Sequence, residues 1–238
     1  MTDIALRRAR RQKMFQRAGL GLILALLSPL TVFLAVAGLK SGLLSIETAF
    51  DLMTMKIALG LAVVGVIGAV IALIAGLTEF KSAGMIAIAA VVMSAATVGV
   101  FAWSIVQAGQ ARGAGDVSTH ADEPPGFSTA VMAQRRAAGA DPVPNAAGPA
   151  GCEISAPMTQ VPPGAAGYGL QSAGFDVRGL GVGRADGAWT SFWFNRTYDG
   201  VVRIRPGRTD VRVTARDLSH DRGQACRLAR KVARDMLP

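Results

Sequence analysis

The sequence predicts a membrane α-helical anchor of three transmembrane helices, followed by a small α+β domain with an antiparallel meander sheet and a C-terminal helix. Three observations predict it. Long uncharged runs crowd the first half of the chain; from Arg112 onward the text turns rich in Gly, Pro, Arg and Asp; and late in the chain β-forming residues alternate between turn signals. A mean hydropathy of +0.37, with 51% apolar residues, is too high for an ordinary soluble fold of 238 residues.

The first run, "AGLGLILALLSPLTVFLAVAG" (18–38), carries no charge. About 20 such residues, at roughly 1.5 Å each, cover the hydrocarbon core of a bilayer. The second run, "IALGLAVVGVIGAVIALIAGL" (57–77), is equally uncharged, and the third (83–106) holds nothing more polar than Ser94, Thr97 and Ser104. No ionisable residue sits at the centre of any run, which speaks against a transporter or channel. Gly60, Gly68, Ala72 and Gly76 recur at fourfold spacing along the second run, a pattern for close helix packing within the bundle or for an oligomer.

Orientation follows from the helix flanks. Residues 1–17 carry Arg7, Arg8, Arg10, Arg11, Lys13 and Arg17 against one Asp, the mark of a cytoplasmic tail, while Lys40, Glu47, Asp51 and Lys56 cancel in the next loop. Three crossings then place the rest of the chain outside the cytoplasm, which in a bacterium means an inner-membrane protein with a periplasmic domain. The "AVAG" at 35–38 resembles a signal-peptide cleavage site, but the run is long for a signal peptide and contains Pro29, so an uncleaved helix is expected. The basic tail is read as a topology signal, with no nucleic-acid partner.

A linker is expected at 108–114 and an α+β domain at 115–238. Residues 133–151 are so rich in Ala, Gly and Pro that they are expected to be extended or loosely held. Strands are expected at 175–182, 188–195, 200–206 and 209–215, parted by Asp-Gly, Tyr-Asp-Gly and Pro-Gly turn signals. A short helix at 162–173 precedes them, and an amphipathic helix over 221–237 closes the chain, with Ala225, Leu228, Ala229, Val232 and Met236 on one stripe. Cys152 and Cys226 both fall in this domain, where an oxidising compartment allows a disulfide; two buried thiols are the alternative. Neither lies at zinc-ligand spacing from another Cys or His, so no metal is expected.

Period-two alternation sorts the last two strands into faces. Val202, Ile204, Val211 and Val213 point one way; Arg203, Arg205, Arg212 and Arg216 point the other. Guanidinium groups bind phosphate and carboxylate bidentately, so this face is a candidate for recognition of an anionic lipid, a cell-wall polymer or an envelope protein. The competing reading is a solvated face neutralised by Asp199, Asp210, Asp217 and Asp221.

Three stretches carry a family resemblance: "DVSTHADEPPGF" (116–127), "WFNRTYDGVVRIRPGRTDVRVTARD" (193–217) and "HDRGQACRLARKV" (220–232). Together they resemble domain of unknown function 1499, an uncharacterised family some of whose members carry transmembrane helices in front. Asp116, Pro124, Pro125 and Phe127 fit its entry motif, with His120 where the family usually has Asp. Arg212, Arg216, Asp221 and Gly223 fit its closing motif, while Val213, Ala215 and His220 stand where the family has serines. The resemblance implies that 116–127 is the first ordered strap of the domain, and Asp116 is expected to pair with Arg212 or Arg216.

Three functions are consistent with the sequence. The first is a non-enzymatic envelope module binding an anionic component through the arginine face. The second is a hydrolase or transferase with His120 or His220 as general base beside an Asp such as Asp221. The third is an accessory subunit of a membrane complex. No cofactor is implied. "NRT" at 195–197 and the Gly-rich "RGLGVGRADG" at 178–187 match short motifs without the context those motifs need.

Overall fold

A computed structural model describes residues 2–79, 81–109, 115–140, 143, 152–154, 159–217 and 221–236. The chain divides into two compact units, Met1–Ser104 and Ile105–Pro238.

The first unit is helical. α1 (Thr2–Lys40) runs through the basic segment and through Pro29 without a break. Proline removes one backbone donor, a loss that long apolar helices tolerate when neighbouring groups satisfy the backbone. A π-wound segment, Glu47–Ala58, continues directly into α2 (Leu59–Glu79), and α3 spans Lys81–Gly109. The second helical stretch therefore starts at Glu47, directly after the connection 41–46, and not at Ile57 as the apolar run suggested; "ETAFDLMTMK" contains no Gly or Pro to stop it. Stretches Gly19–Lys40, Glu47–Ile71 and Met85–Val106 are each long and apolar enough to cross a membrane. Large side chains such as Leu20, Phe33, Ile67, Ile71, Ile88 and Trp103 face outward, as lipid-facing residues do.

The helices meet through small residues. Ala25, Ser28, Ala58, Ala62 and Ala69 are buried, and Ser28 Oγ donates to Ala58 O at 2.7 Å. A Cβ on Gly65 would stand 3.2 Å from Ser94 Oγ and 3.4 Å from the Ala25 backbone. The expected stripe is displaced: a Cβ on Gly60 would meet nothing within 4 Å, and one on Gly68 only Leu24 at 3.9 Å. Ala72 and Gly76 lie outside the described side chains. The seam 58, 62, 65, 69 alternates steps of four and three, the period that keeps one side of a helix facing its neighbour, whereas strict fourfold spacing drifts off that side.

In the second unit, a five-stranded antiparallel sheet has the order β1-β5-β4-β3-β2, with β1 Asp116–Ser118, β2 Asp176–Gly181, β3 Arg184–Thr190, β4 Thr197–Arg205 and β5 Arg208–Ala215. Strands β2 to β5 form the expected meander, and the entry strap supplies the fifth strand beside β5. α5 (Pro163–Ser172) and α6 (Gln224–Asp235) cover one face; Leu170, Phe175, Val202, Val211, Val213, Cys226, Leu228 and Val232 make its core. Cys152 and Cys226 form a disulfide, with Cα atoms 5.8 Å apart and 74 residues between them in sequence.

Two local expectations are corrected. α4 (Thr129–Ala137) is a helix where part of 133–151 was expected to be loose; Ser128 caps it by accepting the Val131 N–H, and most of 141–151 lies outside the described residues. The Asp-Gly pairs 186–187 and 199–200 are not turns. Gly187 pairs with Gly200 across β3 and β4, and Phe175 packs against both: a Cβ on Gly200 would come within 2.6 Å of its ring, and one on Gly187 within 2.9 Å of Asp176 O and 3.1 Å of Phe175 Cβ. These glycines make room for Phe175 and its neighbour, and the real turns fall at Val182–Gly183 and Ser191–Asn195. The β3 segment consequently begins at Arg184, and "SFWFN" leaves the sheet. The Pro206–Gly207 turn stands as expected, with Gly207 at φ +73°.

Candidate functional site

The same alternation that puts Gly187 and Gly200 under Phe175 points Asp186 and Asp199 to the opposite face of the sheet. That face also receives Asp116, Thr214, Arg212, Asp210, Arg203 and Arg205 from β1, β5 and β4. It is covered by the strap 119–128 and by α4, so the arginines expected on one solvated face are divided between a closed interior and an open end.

The interior holds two ion-pair groups. Arg212 grips Asp116 bidentately, Nε to Oδ1 at 2.9 Å and Nη2 to Oδ2 at 2.6 Å, with side chains 7% and 1% exposed. Thr214 Oγ1 donates to the same carboxylate at 2.5 Å, and Arg212 Nη1 donates to Pro125 O at 3.1 Å. Asp199 receives Arg135 Nη1 at 2.8 Å and Arg216 Nη2 at 2.7 Å, with Arg135 fully buried. The Phe127 ring lies 5.3 Å from Arg212 Cζ and 5.7 Å from Arg135 Cζ, so the strap locks both groups with a cation–π contact. Pro124 and Pro125 hold the strap extended, with the Pro125 carbonyl turned to Arg212. Arg212 and Arg216 are thus structural cations.

The open end sits at the β4–β5 turn. The two-residue turn pairs Arg205 with Arg208, and Arg203 with Asp210. Asp210 receives Arg203 Nη2 at 3.0 Å, Arg205 Nη2 at 2.9 Å and Arg208 Nη2 at 3.4 Å, and Arg208 Nε stands 3.0 Å from Oδ1 as an ion pair. Glu123 reaches over from the strap: Arg205 Nη1 donates to Oε2 at 2.7 Å and Arg203 Nη1 to Oε1 at 3.3 Å. Arg205 and Arg208 remain 30% and 39% exposed. Burial raises the Asp210 carboxyl, but the bonds from Arg203 and Arg205 outweigh it and leave the group below its ordinary value. The Arg205 bond likewise lowers Glu123. Three guanidiniums meet two ionised carboxylates here, and Arg184, which donates to Gly126 O at 2.7 Å, stands on the neighbouring strand opposite Arg203. The end carries a net positive charge and planar donors, the chemistry that takes up phosphate or carboxylate.

Of the catalytic candidates, His120 and Asp221 are not brought together. His120 Nδ1 accepts the Glu123 N–H at 3.0 Å and its carbonyl accepts Ser118 Oγ at 3.0 Å, so the ring stitches the strap. Asp221 accepts the Ala225 N–H at 3.0 Å at the start of α6 and bonds the buried Tyr198 hydroxyl, on the other side of the sheet from the strap. Burial raises both the Asp221 carboxyl and the Tyr198 phenol. His220 lies outside the described residues. Among the described residues, no group of three or more His, Cys, Asp or Glu could hold a metal ion.

Sequence reasoning missed Arg208, Arg184 and Arg135 as members of this face. Arg208 was within reach of it, since a two-residue Pro-Gly turn forces Arg205 and Arg208 opposite each other. Arg135 was hidden by its Ala- and Gly-rich surroundings. Comparison with family models, with curated proteins and with solved structures finds no match.

Proposed function

We propose that this chain is a non-enzymatic envelope module of the kind its motifs resemble, domain of unknown function 1499: three helices anchor it in a bacterial inner membrane, and a periplasmic domain binds an anionic polymer or protein. The observation that carries this reading is the convergence of Arg203, Arg205 and Arg208 on two carboxylates at an open end of the sheet, leaving positive charge in excess. A phosphate or carboxylate group on a ligand would meet Arg205 and Arg208, the more exposed of the three. The interior arginines take no part, because each is already held by a buried carboxylate.

The orientation rests on the basic N-terminal flank and is supported by the Cys152–Cys226 disulfide, which persists on the oxidising side of a membrane. The test is co-purification of the full-length protein in mild detergent, beside an Arg205→Ala/Arg208→Ala variant. An envelope polymer or protein retained by the parent and lost from the variant supports the reading; an identical eluate from both contradicts it.

A further inference from the structure

The β3–β4 tip, Ser191–Asn195, carries two large side chains into solvent: Phe192 is 73% exposed and Trp193 60%, and their rings pack edge to face. Exposing two adjacent aromatics costs solubility, and neither side chain belongs to the hydrophobic core of the domain. The tip is nonetheless a built element. Ser191 N–H donates to Arg196 O at 2.8 Å, Arg196 N–H donates to Ser191 Oγ at 3.1 Å, and Asn195 takes φ 52° to close the loop.

Its place in the fold says what it meets. The chain arrives from α3 at Gly115, whose carbonyl accepts the Ala215 N–H at 2.6 Å; Arg216 N–H then donates to Thr197 O at 2.9 Å. Gly115, Ala215 and Thr197 therefore mark one end of the sheet, and the aromatic tip projects from that same end. The β4 strand runs from there to Arg205, a distance of roughly 27 Å at about 3.4 Å per residue. The Arg205–Arg208 cluster lies at the far end.

We propose that Phe192 and Trp193 insert into the interfacial region of the bilayer crossed by the chain's own helices, docking the domain by the end at which its tether enters. Trp carries an apolar body with one N–H donor and settles where hydrocarbon gives way to headgroups. The inference rests on the membrane-spanning reading and adds a second membrane contact to it. It also turns the arginine cluster away from the lipid surface, which selects a polymer or protein over a lipid headgroup as the anionic ligand.

The chain has three tryptophans, so Trp103→Phe/Trp189→Phe leaves Trp193 as the sole reporter in the full-length protein. In nanodiscs of brominated phospholipid, Trp193 emission is lost relative to unbrominated discs. The same background with Trp193→Phe and Val182→Trp, a reporter at the opposite end, keeps its emission. Trp193 emission unchanged by bromine in a chain that has entered the disc overturns the tip and leaves the spanning helices standing. Protection from acrylamide without lipid quenching overturns it in favour of a protein partner, equal quenching at both ends overturns an end-on contact, and failure to enter the disc overturns both readings.

Discussion

Asp116 and Arg212 show how much a single buried pair decides. Both are almost fully enclosed, and the carboxylate also receives Thr214. Removing one partner leaves an uncompensated buried charge, so Arg212→Met is expected to destabilise the domain by about 3–5 kcal/mol in chemical denaturation. Adding Asp116→Asn should recover part of that loss, because the stranded carboxylate is gone; a double variant no better than the single one would contradict the pairing. Asp186 is the opposite case. Its side chain is buried with Oδ1 unpartnered, and burial raises its carboxyl despite Arg184 and Ser128. A carboxyl raised on folding contributes stability below its unfolded value, near 3.8, and loses it as pH climbs through the higher folded value. Asp186→Asn is therefore expected to stabilise the domain at neutral pH and to flatten that part of the pH–stability curve; a lower unfolding midpoint at pH 7 would contradict this. The sequence reading had anticipated a partner for Asp116 in Arg212 or Arg216; it is Arg212, while Arg216 goes to Asp199. Asp186 was not visible in advance, because Asp-Gly is spelled identically in a turn and in a strand that passes under Phe175.

Among the elements, the strands with strong alternation and the closing helix were legible, and so was the turn whose Pro-Gly chemistry dictates its φ angles. What failed were segments whose role depends on a distant neighbour: Gly187 and Gly200 answer to Phe175, β1 exists only because β5 offers an edge, and α4 is held through Arg135 and Asp199. The helical unit makes the same point. Fourfold Gly and Ala spacing drew attention to Gly60, yet the close approach is at Gly65. Gly65→Leu should force α2 away from Ala25 and Ser94 and lower the midpoint of SDS-driven unfolding, whereas Gly60→Leu should leave it unchanged; equal effects would contradict the seam. The disulfide links α6 to residue 152 across 74 positions. Opening a loop of that length by Cys152→Ser/Cys226→Ser is expected to cost roughly 4 kcal/mol in the chain-entropy model, read from the denaturation midpoint.

At the scale of the whole molecule, the two units differ in what they expose and what they bury. The exposed hydrophobic side chains of the helical unit suit lipid, buried ion pairs fasten a strap across one sheet face, and Arg203, Arg205 and Arg208 gather at the end of the sheet far from Gly115. The net charge of +9 alone could not locate that cluster, since it does not show that Arg135, Arg212 and Arg216 are each held by a buried carboxylate. As proposed, Arg205 and Arg208 bind an anion while Arg212 and Arg216 hold the fold. Titration of a fluorescent polyphosphate probe onto the full-length protein in nanodiscs, at low and physiological salt, separates the two roles. Binding is expected to weaken with salt and to be lost in Arg205→Ala/Arg208→Ala, a variant that keeps a cooperative unfolding transition because Arg203 still pairs the buried Asp210. Undiminished binding by that variant would contradict it.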